Sequence, residues 1–198
     1  KRKAIEAYVQ CDTEVGEWQS GVDPRLIDDF RTAAGLLFGT SVAALGRKVR
    51  ELQHVPKHGP GATAEKLSAN GRFAQREWTD RLQADFPFDL FGIPSWNFVE
   101  HIGEVDFREP GRERPSRVVL VPKTLKTPRV IAIEPACMQY AQQSLLEILV
   151  PELESAKYSG ALGFTDQTVN QRLACEASLD LSRSTLDLSE ASDRVSNR

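Results

Sequence analysis

Apolar positions recur at helical spacing through the first half of the chain and give way to β-branched runs after Ser116. A mixed helical stretch (Ala4, Ile5, Ala7, Tyr8, Val9) carries Glu6 within it. Asp23-Pro24 then joins a capping acid to proline at a first helical position, with Leu26, Ile27, Phe30, Ala34, Leu37 and Phe38 at helical intervals behind it. Gly39-Thr40-Ser41 predicts a break and a new cap, with Val42, Leu45, Val49 and Leu52 on one face of the next helix. The expectation is an antiparallel helix pair whose stripe is core. Gly71 to Asp85 predicts one more helix burying Phe73, Trp78 and Leu82, and Phe86 to Gly111 is irregular apart from a short helix near Ser95.

Arg117–Val121 and Arg129–Ile133 are strand-like runs joined by Pro122–Pro128, which predicts a hairpin with a tip longer than a two-residue turn. Ala136 to Val150 follows as a helix with Met138, Ala141, Leu145, Leu146 and Leu149 inward, and Pro151 should stop it. Thr165 reads as the N-cap of a helix through Val169, Leu173 and Ala177. Ser184-Thr185-Leu186 is a short strand delivering Asp187, and Glu190 to Asp193 has the composition of a turn entering a helix. Helices first and strands later give an α+β class.

Composition narrows this picture little, but charge distribution changes it. Three scattered cysteines (Cys11, Cys137, Cys175) provide no disulfide or zinc framework and fit reduced cytosolic thiols. His54, His58 and His101 lack metal-ligand spacing. No apolar run approaches a membrane span, and the first residues lack the apolar middle of a signal peptide. The net charge is −3, yet Arg108 to Arg129 holds seven basic residues against two acids, a local +5 that leaves −8 for the remainder. Local concentration is what a polyanion meets.

Two constellations could do chemistry. Lys123, Lys126 and Arg129 stand three apart on the hairpin and could hold a triphosphate or an RNA backbone, with Arg112, Arg114 and Arg117 extending the positive field. Asp187 and Asp193 flank a turn, a setting that suits a hard divalent cation beside a phosphate. Each has a plainer reading, as a solvated loop and as a capped turn, and spacing alone leaves both open. Leu179–Ser182 is echoed by Leu186–Ser189, so Asp180 competes with Asp187. His58-Gly-Pro-Gly-Ala-Thr63 is a tight loop without the Gly-Lys-Ser/Thr ending of a P-loop.

VPKTLKTPRVIAIEPA (Val121–Ala136), FTDQTVNQRLA (Phe164–Ala174) and STLDLSEASDRVS (Ser184–Ser196), in that order, resemble the replicase catalytic subunit of leviviruses, small positive-strand RNA bacteriophages. HGPGAT at residues 58–63 is similar to a fingers motif of that family. The resemblance implies a right-hand RNA-directed RNA polymerase: a mainly helical N-terminal and fingers region over 1–111, fingers with the basic hairpin over 112–182, and the start of the palm over 183–198. It implies that Lys123, Lys126 and Arg129 contact the incoming triphosphate. Asp187 becomes the catalytic ligand of Mg2+ (or Mn2+), and Asp193 selects ribose through its 2′-hydroxyl. Asp180 falls outside the family's motifs and would be structural, and Asp166, Gln167 and Asn170 would be mainly structural; Arg112, Arg114 and Arg117 are candidates for RNA by their charge. The implied partners are template RNA and nucleoside triphosphates, with host elongation factors Tu and Ts and a small-subunit ribosomal protein. The implied location is the cytoplasm of the infected bacterium. The family's Gly-Asp-Asp hairpin is absent from these residues, so the expectation is a partial polymerase chain inactive by itself. The competing expectations are a non-catalytic RNA-binding module, a partner-binding domain, and a reverse transcriptase.

Overall fold

In a computed structural model, the described residues (1–93, 95–123, 126–155, 158, 161–184, 186, 188 and 191–195) form six α-helices, two 3-10 segments and four strands. Packing divides the chain into two units, Lys1–Leu37 with Val150–Arg198, and Phe38–Leu149.

In the first unit, α1 (Arg2–Gly21) is polar on most of its surface and buries Ala4 and Cys11, seven residues apart and so on one face. The 191–194 turn meets that face. The Cys11 thiol donates weakly to the Asp193 carbonyl at 3.8 Å, and Arg194 pairs with Glu14 at 3.2 Å. Helix α6 (Thr168–Asp180) starts later than a Thr165 cap requires. Glu154 holds Thr165 by its N–H and its hydroxyl, both at 2.7 Å. Asp166 Oδ1 caps instead, accepting the Thr168 N–H at 2.9 Å and its hydroxyl at 2.7 Å. Neither Ser184 nor Leu186 is in a strand, and Thr185, Asp187, Ser189 and Glu190 lie outside the described residues.

Helix α2 (Pro24–Arg50) overturns the expected break. Asp23 Oδ1 accepts the Arg25 N–H at 2.9 Å, as a capping acid should. Gly39-Thr40-Ser41 then continues the helix, because an interior glycine costs only about 1 kcal/mol and keeps its N–H, unlike proline. The real end lies at Leu52, whose φ is +56°. There Leu52 N–H bonds the Val49 carbonyl at 3.0 Å and Gln53 N–H bonds Lys48 at 2.8 Å, closing a Schellman turn.

The second unit is built on Trp78, which is fully buried. Around it pack Leu82, Phe86, Phe88, Cys137 and Ala141, with Ile102, Val105, Met138 and Tyr140 partly buried against them. The predicted Gly71–Asp85 helix is instead a 3-10 turn (Gly71–Ala74), strand β1 (Glu77–Thr79) and a short α3 (Asp80–Gln83), and Phe73 is exposed. Thr79 accounts for part of this change: its hydroxyl caps α3 by accepting the Leu82 N–H at 3.2 Å. Strand β1 pairs in parallel with β2 (Asp106–Arg108). Helix α4 (Phe88–Phe91) ends at Gly92, where a Cβ would lie 2.2 Å from the Phe88 ring, so only glycine fits. A 3-10 segment (Trp96–Glu104) supplies the helix expected near Ser95.

Strands β3 (Arg117–Lys123) and β4 (Lys126–Ile133) form the expected antiparallel hairpin. Pairing runs from Arg117↔Ile133 to Lys123↔Lys126, with an irregularity between Val121 and Lys123, so most of the predicted tip is strand. Helix α5 (Ala136–Leu153) passes through Pro151 and ends two residues later, so the stop expected at the proline falls close to the observed end. Its buried face is Ala136, Cys137, Ala141, Ser144 and Ile148, while Leu146 is exposed. Of the predicted inner face, Ala141 is in the Trp78 cluster and Met138 and Leu145 pack partly buried against it, so Leu146 is the residue that departs from the expectation.

Candidate nucleic-acid interface

The basic segment separates into cations paired with protein groups and exposed cations without an acidic partner among the described residues. Arg114 reaches both oxygens of Glu77, its Nε at 2.9 Å from Oε2 and its Nη2 on Oε1, and lies 3.8 Å from Glu65. The Arg114 guanidinium holds the Glu77 carboxyl below its ordinary value, and Glu77 raises Arg114 in return. Arg108 is 2.8 Å from Asp106 and 3.7 Å from Glu77. Arg117 donates to two backbone carbonyls, Ala64 at 3.1 Å and Thr63 at 3.0 Å. Arg114 and Arg117, expected on RNA, are therefore held by protein groups. Arg112, Lys123 and Arg129 are exposed and have no acidic partner among the described residues. The Lys126 backbone opens β4, paired with Lys123.

The loop at 58–63 does not stand open as a phosphate cradle. Thr63 is buried, and its hydroxyl accepts the Leu67 N–H at 3.2 Å. The His58 ring packs on Phe73 and Tyr140, and Arg72 donates to the Gly59 carbonyl. Burial, with the nearby Arg72 charge, holds the His58 imidazole below its usual pKa. Gln139 Nε2 donates to the Ala62 carbonyl at 2.7 Å and to that of Glu134 at 2.9 Å. Ala64 N–H donates to the Glu134 carbonyl at 3.0 Å, and the Ser116 hydroxyl to Glu134 Oε1 at 2.8 Å. Glu65 caps α5, accepting the Ala136 N–H at 3.1 and 3.2 Å. The loop is thus stitched to the hairpin base and to the start of α5.

Glu65, Glu77, Gln139 and the Arg117 contacts escaped sequence reasoning. Glu65, Glu77 and Asp106 come from outside the basic run, so a local charge count cannot find them.

Asp193 is exposed on the 191–194 turn, with the Ser192 hydroxyl 3.2 Å from its Oδ1. It belongs to the first unit and the hairpin to the second. Asp187 lies outside the described residues. Asp180 Oδ1 accepts the Ser182 N–H at 2.9 Å, closing the end of α6, and the Ser182 hydroxyl together with that N–H keeps its carboxyl below the ordinary value. Gln167 donates to the Gly163 carbonyl and Asn170 to Gln167, so these side chains make local bonds, as Asp166 does. No group of three or more His, Cys, Asp or Glu among the described residues could hold a metal ion. Carboxylates such as Asp187 and Asp193 are nonetheless the hard oxygen donors that suit Mg2+.

A family model, RNA replicase, beta-chain, matches residues 97–198, a span that includes the hairpin, α5, α6 and the Asp187–Asp193 stretch. The chain is 39% identical over 125 residues to the RNA-directed RNA polymerase subunit beta of Enterobacteria phage SP, covering 54% of this chain and 21% of that protein. It is 41% identical over 81 residues to the corresponding subunit of Escherichia virus Qbeta, covering 41% of this chain and 13% of the relative. With the RNA-directed RNA polymerase beta chain of Escherichia phage MS2 it shares 38% over 81 residues, 41% of this chain and 14% of the relative. The aligned stretch therefore spans about a fifth or less of these relatives.

Proposed function

Because the chain belongs to the RNA replicase beta-chain family, we propose that it contributes the fingers and the first palm carboxylate of an RNA-directed RNA polymerase that copies a phage RNA genome. The observation that supports this most is the single family match running in order through the basic hairpin and the Asp187 motif. The aligned stretch is a small part of each relative, so the activity is proposed for the full-length replicase.

In the proposed reaction the 3′-hydroxyl of the growing RNA attacks the α-phosphate of a ribonucleoside triphosphate. The bond between the α-phosphorus and the bridging oxygen breaks, and pyrophosphate leaves. Lys123, Lys126 and Arg129 bind the phosphate oxygens, Arg as a planar fork and the lysines as point charges. Arg112 meets the RNA backbone. Asp193 accepts a hydrogen bond from the ribose 2′-hydroxyl. Asp187 would hold Mg2+ (or Mn2+), which when bound supplies a lower pKa for the attacking hydroxyl and positive charge at the leaving group. Template RNA and nucleoside triphosphates are the proposed partners, joined by host elongation factors Tu and Ts and a small-subunit ribosomal protein. The proposed setting is the cytoplasm of the infected cell, and no helix among the described residues is long and apolar enough to cross a membrane.

The test is RNA-templated incorporation of labelled nucleotides by the full-length replicase. The proposal expects template-dependent ribonucleotide incorporation, and reduced discrimination against deoxyribonucleotides in Asp193→Ala. Absence of incorporation, or preference for deoxyribonucleotides by the unmodified enzyme, would contradict it. Salt-sensitive RNA binding without any nucleotidyl transfer would favour the non-catalytic RNA-binding module.

A further inference from the structure

We propose that Arg117 is a positioning residue for the phosphate-binding end of the hairpin, acting through the backbone of residues 62–64. The inference rests on reading Lys123, Lys126 and Arg129 as triphosphate-binding cations. A two-stranded hairpin is marginal in water by itself. This one gains no third strand among the described residues, and Val118 and Val121 are 61% and 40% exposed. Its position therefore depends on polar ties at its base.

Those ties converge on one loop. Arg117 opens β3 in the last pair of the ladder, opposite Ile133. Its guanidinium spans the carbonyls of Ala64 (3.1 Å) and Thr63 (3.0 Å). From the other strand, the carbonyl of Glu134, one residue past β4, accepts the Ala64 N–H at 3.0 Å. Gln139 clamps the same loop at Ala62, 2.7 Å away. Thr63 is 2% exposed, so the loop is itself fixed by the core. Both strands are thus tied to one piece of backbone anchored at buried Thr63.

The geometry makes Arg117 the fulcrum of a lever. Lys123 lies six residues farther along β3, about 20 Å at strand rise, so a tilt of about 5° at the base moves the tip by nearly 2 Å. Misplacing a binding group by about 1 Å can cost as much as 100-fold in a positioned reaction. A lysine at 117 keeps the charge but has a single head and cannot span the two carbonyls as a fork does.

The experiment measures ATP affinity of the full chain for Arg117→Met, Arg117→Lys, Gln139→Leu and Lys123→Ala, at a temperature where each gives the circular dichroism spectrum of the parent. Arg117→Met should weaken ATP about tenfold, with Arg117→Lys recovering part of the loss. Gln139→Leu, which cuts the same loop without touching a cation, should weaken ATP in the same direction and serves if Arg117→Met does not fold. A loss in Lys123→Ala with none in Gln139→Leu and none in either Arg117 variant would overturn this inference alone. No loss in Lys123→Ala would overturn the triphosphate reading and this inference with it.

Discussion

Replacing Lys123 and Arg129 together by alanine should reduce the salt dependence of RNA binding, whereas replacing Arg114 should leave it unchanged. The magnitude follows from which cations the fold leaves free. Of the seven basic residues from Arg108 to Arg129, Arg108 and Arg114 face carboxylates and Arg117 faces carbonyls. Each phosphate neutralised on a single strand adds about 0.7 to the slope of log affinity against log salt. Arg112, Lys123 and Arg129 therefore predict a slope of about −2, and Lys126 would take it to about −3, against about −5 if all seven cations were available. The double variant should lose about 1.4 of that slope. The assay is fluorescence anisotropy of a short labelled single-stranded RNA titrated with the chain from low to moderate salt. Arg114→Ala should instead cost up to about 1 kcal/mol of stability, because it removes the bidentate partner of Glu77 from a partly exposed pair. A parental slope near −5, or an Arg114→Ala slope loss equal to that of Arg129→Ala, would refute the division between engaged and free cations.

Three further outcomes follow from the second unit. Trp78→Ala should destabilise by about 3–5 kcal/mol in urea unfolding, since a wholly buried ring is lost and the Phe86 carbonyl loses its indole N–H donor at 3.2 Å; a cost below about 1 kcal/mol would contradict the placement of the core. His54 lies against Phe86 and Phe91, and burial holds its pKa below 6.5 despite the opposing Lys48 carbonyl and Asp85; His58 is lowered in the same sense. The folded state thus takes up these protons less readily than the unfolded chain. Their contribution is present above pH 6.5 and is lost as pH falls through the lowered folded values, so stability measured against pH should drop there and the drop should flatten in His54→Phe. Burial pushes the Cys137 thiol up to about 11, so an alkylating reagent near neutral pH should label exposed Cys175 and leave Cys137 untouched until the chain unfolds.

The hairpin, α5 and α6 were legible because β-branched runs and helical spacing are local signals. Gly39-Thr40-Ser41 misled because glycine and serine can cap a helix, yet nothing there removes an N–H from the ladder. Pro151 marks the end of α5 to within two residues, because the ring removes a ladder donor and the helix closes at Leu153. Trp78 was correctly expected in the core, but on a strand in place of a helix, because a parallel pairing with residues 106–108 cannot be read from residues 77–79 alone. The same non-locality hid the site's architecture. Lys123 and Arg129 are candidates by charge alone, while the Arg117 fork needs carbonyls more than fifty residues away. Asp180 and Asp187 sit in matching Leu-Asp-Leu-Ser runs, and only the end of α6 shows the first of them closing a turn.

The most direct measurement is RNA-templated ribonucleotide incorporation by full-length replicase carrying Asp187→Ala, beside Asp180→Ala as the matched control. Asp187→Ala should abolish incorporation while RNA binding persists, and Asp180→Ala should retain activity. Incorporation that survives Asp187→Ala, or is lost only in Asp180→Ala, would contradict the proposed role of Asp187.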